Sequence, residues 1–247
     1  MHKSRVVFVC MALVLTLALL IPLVGCGGGG TTATPTGTTT GATTTPTKTS
    51  TSTSGKTLGD ISGYGKNIGD VKFDVDVVIA QPGQPQTTAL TAKYYYKNAW
   101  LSDNMKLRYE TTAEGNLTIY LVDYSTQTAY MWLKDQNIAY RIDMSQAPGK
   151  PGENADQVPT YVGPDTVDGK LCDVYQWTSG EGTTWPPLGT PMKIWLWKQK
   201  SFPIRMEAKT SSGTVIMEYK NIVFGTLSND LFQLPAGVQI MQFPGST

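Results

Sequence analysis

Histidine is what this 247-residue chain most conspicuously lacks: His2 is its only one, and it stands in a leading segment that reads as destined for removal. A mature chain without imidazole loses Ser-His-Asp and Cys-His catalysis, His-ligated zinc and the commonest general base together. Cysteine is nearly as scarce, at Cys10, Cys26 and Cys172. The first two fall in or beside the leading segment, which leaves Cys172 without a partner for an intramolecular disulfide. In "GKLCDVYQW" the alternation makes Cys172 a small apolar side chain inside a strand. A reactive thiolate would need basic neighbours to hold it ionised, and Lys170 alone is near in sequence. An excess of charge of one sign is missing too. Without Lys3 and Arg5 the twenty basic residues fall to eighteen, against nineteen acidic ones, which is not the basic footprint of a nucleic-acid binder.

What is present begins with a basic start, His2, Lys3 and Arg5, followed by an apolar run from Val6 to Leu20 and then Leu23-Val24-Gly25-Cys26. That order marks an export signal over residues 1–25, and the cysteine after Leu-Val-Gly resembles a bacterial lipobox. In that reading Cys26 is the lipid attachment site and the chain is cut before it. A plain transmembrane anchor is the other reading, because the apolar run approaches the roughly 20 residues a spanning helix needs. Either way the remainder is expected outside the cytoplasm, tethered to a cell-envelope membrane. Residues 26–56 then run through Gly, Thr, Ser, Ala and Pro. With no aromatic residue and no Val, Ile or Leu, they cannot offset the entropy of ordering. A coil of this kind has an r.m.s. span of roughly 30 Å and serves as a spacer or, given its Thr and Pro, as a glycosylated stalk.

Residues 57–247 carry one domain's worth of sequence with apolar residues at every second position. "VKFDVDVVI" sets Val71, Phe73, Val75, Val77 and Ile79 against Lys72, Asp74 and Asp76, and "NMKLRYE" sets Met105, Leu107 and Tyr109 against Lys106, Arg108 and Glu110. Strands buried on one face and wet on the other make this pattern. Further strands are expected at 117–122, 129–133, 138–142, 162–167, 171–177, 192–197, 204–209 and 214–224. Asp168-Gly169 and Ser212-Gly213 supply hairpin turns. The fold class is therefore all-β with minor α: a curved antiparallel sheet of about ten or eleven strands in up-and-down order. A short helix is expected near 58–66, weakened by Gly59, Gly63 and Gly65. Residues 146–159 and 183–191, rich in Pro and Gly, read as loops of the kind that form lids or binding segments.

The candidate groove is the inward list: Phe73, Val75, Tyr94, Tyr96, Met105, Leu107, Tyr109, Tyr140, Ile194, Leu196, Ile204, Met206, Met217 and Tyr219. If the sheet closes tightly these residues fill it; if it stays open they line an apolar groove. Met on such a surface adapts to varied ligands. Trp195 and Trp197 fall on the other phase, as outward aromatics through which a stalked module could bind a protein or glycan. Asp74 with Asp76, and Asp165 with Asp168, are the carboxylate pairs that hydrolytic or cation chemistry would use, yet they sit where alternation asks for polarity. No cofactor or metal is called for, no catalytic residue is assigned, and a monomer is expected. Asn116-Leu117-Thr118 matches a glycosylation sequon.

Three stretches carry a resemblance. "YVGPDTVDGKLCDVYQW", "MKIWLWKQKSFPIRMEA" and "MEYKNIVFGTLSNDLFQLPAGVQI" together resemble the C-terminal half of the LolA-like lipoprotein-carrier superfamily, with its Val-Asp-Gly hairpin, hydrophobic-Trp-hydrophobic strand, Phe-Pro corner and Leu-Phe-x-Leu-Pro-x-Gly ending. The resemblance implies a curved half-barrel whose concave face, covered by a helix or loops, holds acyl chains of lipoproteins or envelope lipids. The lipobox and stalk set this chain apart from freely diffusing carriers and nearer to membrane-anchored members.

Overall fold

The computed structural model describes residues 55–62, 68–100, 103–113, 115–142, 156–180 and 188–242. The export signal, Cys26 and the stalk lie outside the described residues, as do most of the 146–159 loop and much of 183–191. The described chain forms one open curved sheet and one short helix. The strands are β1 (Val71–Ala80), β2 (Thr87–Lys97), β3 (Lys106–Ala113), β4 (Asn116–Asp123), β5 (Thr128–Leu133), β6 (Ile138–Ile142), β7 (Thr160–Val167), β8 (Lys170–Thr178), β9 (Pro191–Trp197), β10 (Phe202–Thr210), β11 (Gly213–Phe224) and β12 (Gln239–Gln242).

Twelve strands exceed the ten or eleven expected, and both additions were hard to see in the chain. The first half of β2 is polar and exposed, so its alternation emerges only at Ala92, Tyr94 and Tyr96. All four residues of β12 are exposed, which leaves no apolar phase to detect. The order also differs from a single up-and-down run: it is β12-β6-β5-β4-β3-β2-β1-β11-β10-β9-β8-β7. Two meanders, β1 to β6 and β7 to β11, are joined by the antiparallel pairing of β1 with β11. The short β12 then returns to pair in parallel with β6.

Turn chemistry fixes the registers. Asp168 and Gly169, with φ of 49° and 72°, make the tight β7–β8 hairpin that the dipeptide favours. Gly213 opens β11 at φ +143°, where an added Cβ would lie 2.5 Å from the Ala80 carbonyl oxygen; only glycine lets the two backbones approach so closely. One extra residue in β11 opposite Lys72 and Asp74 is absorbed near Asn221, which takes φ +52° and donates from Nδ2 to Asp74 at 2.6 Å. Asparagine tolerates that left-handed conformation better than most residues.

The helix α1 (Leu58–Ser62) starts on a reciprocal cap. Asp60 N donates to Thr57 Oγ1 at 3.2 Å, and Thr57 N donates to the Asp60 carboxylate at 2.8 Å, so two orphan donors are satisfied together. Its Leu58 is buried with Tyr175, Trp177, Met192, Ile194, Leu196 and Ala208, which makes this the covered part of one sheet face. On the opposite face, Ile119, Leu121, Trp132 and Ala139 are buried beneath Leu234 and Val238 of the C-terminal segment. Arg108 Nη1 holds that segment through the Leu231 carbonyl at 3.0 Å. The "LFQLPAGVQI" ending is therefore a cover for the sheet's other side. Asp70 ties its beginning down, accepting from Leu227 N at 2.9 Å and from Asn98 N at 3.0 Å.

Candidate functional site

On the face that α1 packs against, pairing register sets one residue from each of seven strands in a line. Phe73 lies opposite Tyr94, Tyr94 opposite Tyr109, Tyr109 opposite Tyr120, Tyr120 opposite Met131, Met131 opposite Tyr140, and Tyr140 opposite Met241. Neighbouring strands lie roughly 4.8 Å apart, and directly opposed side chains touch. The rings do so here: Phe73 and Tyr94 stack at 5.3 Å, Tyr94 and Tyr109 tilt at 4.9 Å, and Tyr109 and Tyr120 at 5.6 Å. Burial is graded along the line. Phe73 is 4% exposed, Tyr94 through Tyr140 are half-buried, and Met241 is 40% exposed.

The inner end is solid. Phe73, Val75, Tyr96, Met105 and Leu107 are buried with Val71, Val122 and Phe202, and Tyr94, Tyr109, Met217 and Tyr219 pack against them. Ile194 and Leu196 are buried beneath α1, with Met206 half-buried beside them. The candidate list thus divides into a core around Phe73, a part covered by the helix, and a half-buried row crossing β2 to β6. Tyr140 belongs to the row. Ile204 is a correction: it is the extra residue of a bulge between Pro203 and Arg205 and packs with Cys172, Val174 and Trp195 on the other face. Simple alternation assigned it beside Met206; a bulge leaves an unpaired residue that breaks the phase.

Two half-buried members of the row, Tyr120 and Met131, escaped sequence reasoning. Both phases of "NLTIYLVD" are apolar, because the C-terminal cover buries Ile119 and Leu121 as thoroughly as the core buries Val122. Two-sided burial erases the alternation that identifies a face. Met241 was missed for the opposite reason, since no residue of its strand is buried.

The phenols packed against the core of this face are held neutral. Burial pushes Tyr219 up to about 12, and it raises Tyr94, Tyr96 and Tyr109 as well, with Thr111 offsetting part of the shift at Tyr109. The Tyr219 hydroxyl donates to the Met206 sulfur at 3.4 Å, a weak acceptor. The surface is therefore apolar with protonated hydroxyls and no formal charge. A phenol whose folded pKa lies above its unfolded value of about 10 contributes fully below that value, and its contribution falls as pH rises through the folded pKa. Denaturant unfolding at a series of pH values should show stability level up to about pH 10, then a loss of roughly 1.4 kcal/mol per pH unit for each phenol involved, continuing toward pH 12. A flat profile across that window contradicts the assigned burial.

The opposite face is ionic. Lys220 bridges Asp76 at 2.7 Å and Glu218 at 3.0 Å, and Arg205 bridges Glu218 at 3.3 Å and Glu207 at 2.8 Å. The Lys220 hydrogen bond holds the Asp76 carboxyl below its ordinary range. Asp165 accepts from Trp195 Nε1 at 2.9 Å, which lowers it likewise. Carboxylates committed in this way are poor general acids. Trp195 is 7% exposed, with the Arg205 guanidinium 5.4 Å from its ring centre, and Trp197 is half-buried, so neither stands out as a freely exposed aromatic. Cys172 is fully buried and donates to the Lys170 carbonyl at 3.2 Å; burial raises its thiol, the opposite of what a nucleophile needs. A shallow depression of about 300 Å³ lies where Thr160, Trp177, Met192 and Lys193 meet, away from the aromatic row and at the low end for a ligand pocket.

No family model matches the chain, and no curated protein does. Solved structures do. An uncharacterized conserved protein from Thermus thermophilus is 13% identical, with TM-score 0.48, covering 75% of this chain and 97% of its own. LprF from Mycobacterium bovis is 17% identical, with TM-score 0.44, over 72% of this chain and 93% of its own. A LolA superfamily protein from Nitrosomonas europaea is 12% identical, with TM-score 0.32, over 72% and 97%.

Proposed function

We propose that this chain is a lipid-anchored extracytoplasmic protein that holds an acyl chain or similar apolar ligand along the aromatic row, without catalysis. The graded burial of the row from Phe73 to Met241 carries this reading. An uncharged strip that crosses the sheet from strand to strand suits a long thin apolar molecule. Its protonated phenols can donate to an ester or carbonyl oxygen without the desolvation cost of a charge. Tyrosine and methionine suit such a floor, since rigid rings give area at little entropic cost and thioethers adapt to the contour. In this reading Cys26 carries the anchor, residues 26–56 hold the domain clear of the headgroups, and the protein acts as a monomer in lipid or lipoprotein trafficking.

Native mass spectrometry of the full chain, extracted gently from membranes, tests both halves. The expected spectrum shows a chain cut before Cys26 with diacylated mass, carrying a noncovalent lipid that a fatty-acyl probe displaces. A chain that never retains lipid and has no affinity for acyl probes overturns the ligand reading; an unmodified Cys26 overturns the anchor.

A further inference from the structure

One end of the sheet gathers apolar and cationic side chains that the aromatic row does not use. The β7–β8 hairpin, the turn between β9 and β10, the end of β11 and the start of β1 meet there, as the pairing of Val71 with Phe224 and of Cys172 with Trp197 requires. The Lys170 ammonium lies 5.8 Å from the Trp197 ring centre, Trp197 lies 6.3 Å from Phe224, and the Lys200 ammonium lies 5.0 Å from Phe224. Beside this chain of contacts, Leu171 is 53% and Val223 50% exposed, and exposed Lys72 pairs in register with Val223.

The lysines at this end divide in a telling way. Lys198 is neutralised by Asp173 at 3.0 Å, whereas Lys72, Lys170 and Lys200 enter none of the ion pairs among the described residues. Lys170 and Lys200 lie over rings instead, which leaves the ammonium free of a carboxylate partner while the stem covers apolar surface. The nearby acids are accounted for. Asp70 accepts from backbone donors and lies 3.9 Å from Lys97, Asp74 accepts from Asn221, Asp165 accepts from Trp195, and Asp173 pairs with Lys198, so these carboxylates are held by neighbours other than Lys72, Lys170 and Lys200.

We propose that this rim seats on an anionic lipid surface, with Leu171 and Val223 entering the interface and Lys72, Lys170 and Lys200 facing the phosphates. The rim is narrow, drawn from strand ends and turns. A stable protein partner needs a face of about 800 Å² on each side, whereas a bilayer accepts a thin edge of aliphatic and indole side chains flanked by lysines. Each lysine near an anionic leaflet contributes about fivefold in binding. The inference is independent of what occupies the aromatic row.

The test uses the full chain with an environment-sensitive dye at Val223→Cys or, at the far end of the sheet, at Gln84→Cys in the exposed turn after β1. Each is mounted on phosphatidylcholine vesicles with or without phosphatidylglycerol. The expected result is a blue shift at position 223 on anionic vesicles alone, reversed by high salt and removed by Lys72→Glu, Lys170→Glu and Lys200→Glu together, with position 84 unmoved. Equal spectra on both vesicle types, or equal shifts at both positions, overturn the proposal. A shift that needs an added acidic protein overturns it as well, in favour of a protein partner.

Discussion

Phe202→Ala is expected to cost about 3 to 5 kcal/mol, lowering Tm by roughly 6 to 20 °C for a domain of this size. Phe202 is 0% exposed and meets four rings: Phe73 at 5.2 Å, Trp100 at 5.8 Å, Tyr219 at 6.1 Å and Phe224 at 5.5 Å. Those rings come from β1, from the β2–β3 connection and from β11, so truncation opens a cavity at the seam of the two meanders. Rings cannot slide together to fill it, because each is pinned by its own strand register. Phe202→Leu keeps part of the volume and should cost less than half as much. Thermal or denaturant unfolding reads both, and a loss under about 1 kcal/mol for the alanine variant would mean that the seam repacks freely.

Met131→Asp is expected to weaken acyl-probe binding by at least about 100-fold, since a carboxylate forced against an apolar ligand costs roughly 3 kcal/mol or more and 1.4 kcal/mol is a factor of ten. Met131 is half-buried between Tyr120 and Tyr140, so in the unliganded chain the new carboxylate can turn toward water and the sheet should keep most of its stability. Binding titration with a fluorescent acyl probe, set beside the unfolding curve of the same variant, separates the two effects. Unchanged affinity would remove the row from the binding surface. Met131→Leu, which preserves volume and polarity, should bind within a few-fold of the parent chain.

Much of the fold was legible wherever one face is buried and the other wet. Strand β1 announced itself through Val71, Phe73 and Val75 against Lys72, Asp74 and Asp76, and Asp168-Gly169 announced its hairpin. Illegible were the places where burial is two-sided or absent. Tyr120 was hidden by apolar neighbours on both phases, and β12 was hidden by having no buried residue. Ile204 was misassigned because a bulge is a property of pairing and leaves no mark in a single strand's alternation. The joining of two meanders through β1 and β11 was equally invisible, because period-two patterns identify strands without naming their partners. Of the row, Phe73, Tyr94, Tyr109 and Tyr140 could be read, while Tyr120, Met131 and Met241 join them only through the register.

The lacing of the sheet sets an order on how it can be completed. β6 and β7 follow one another in the chain yet lie near opposite margins, and the first strand waits for the eleventh before its second edge is satisfied. The first meander can zip from neighbour to neighbour as it emerges, but it keeps two open rails, β1 and β6, until the last quarter of the chain arrives to cap both. Contacts so distant in sequence make for slow closure, and unpaired rails invite other strands in the interval. A truncation that removes only residues 225–247 would therefore leave every antiparallel pair in place while stripping the guard from the β6 margin, and should raise the tendency of the sheet to pair edge to edge with other strands.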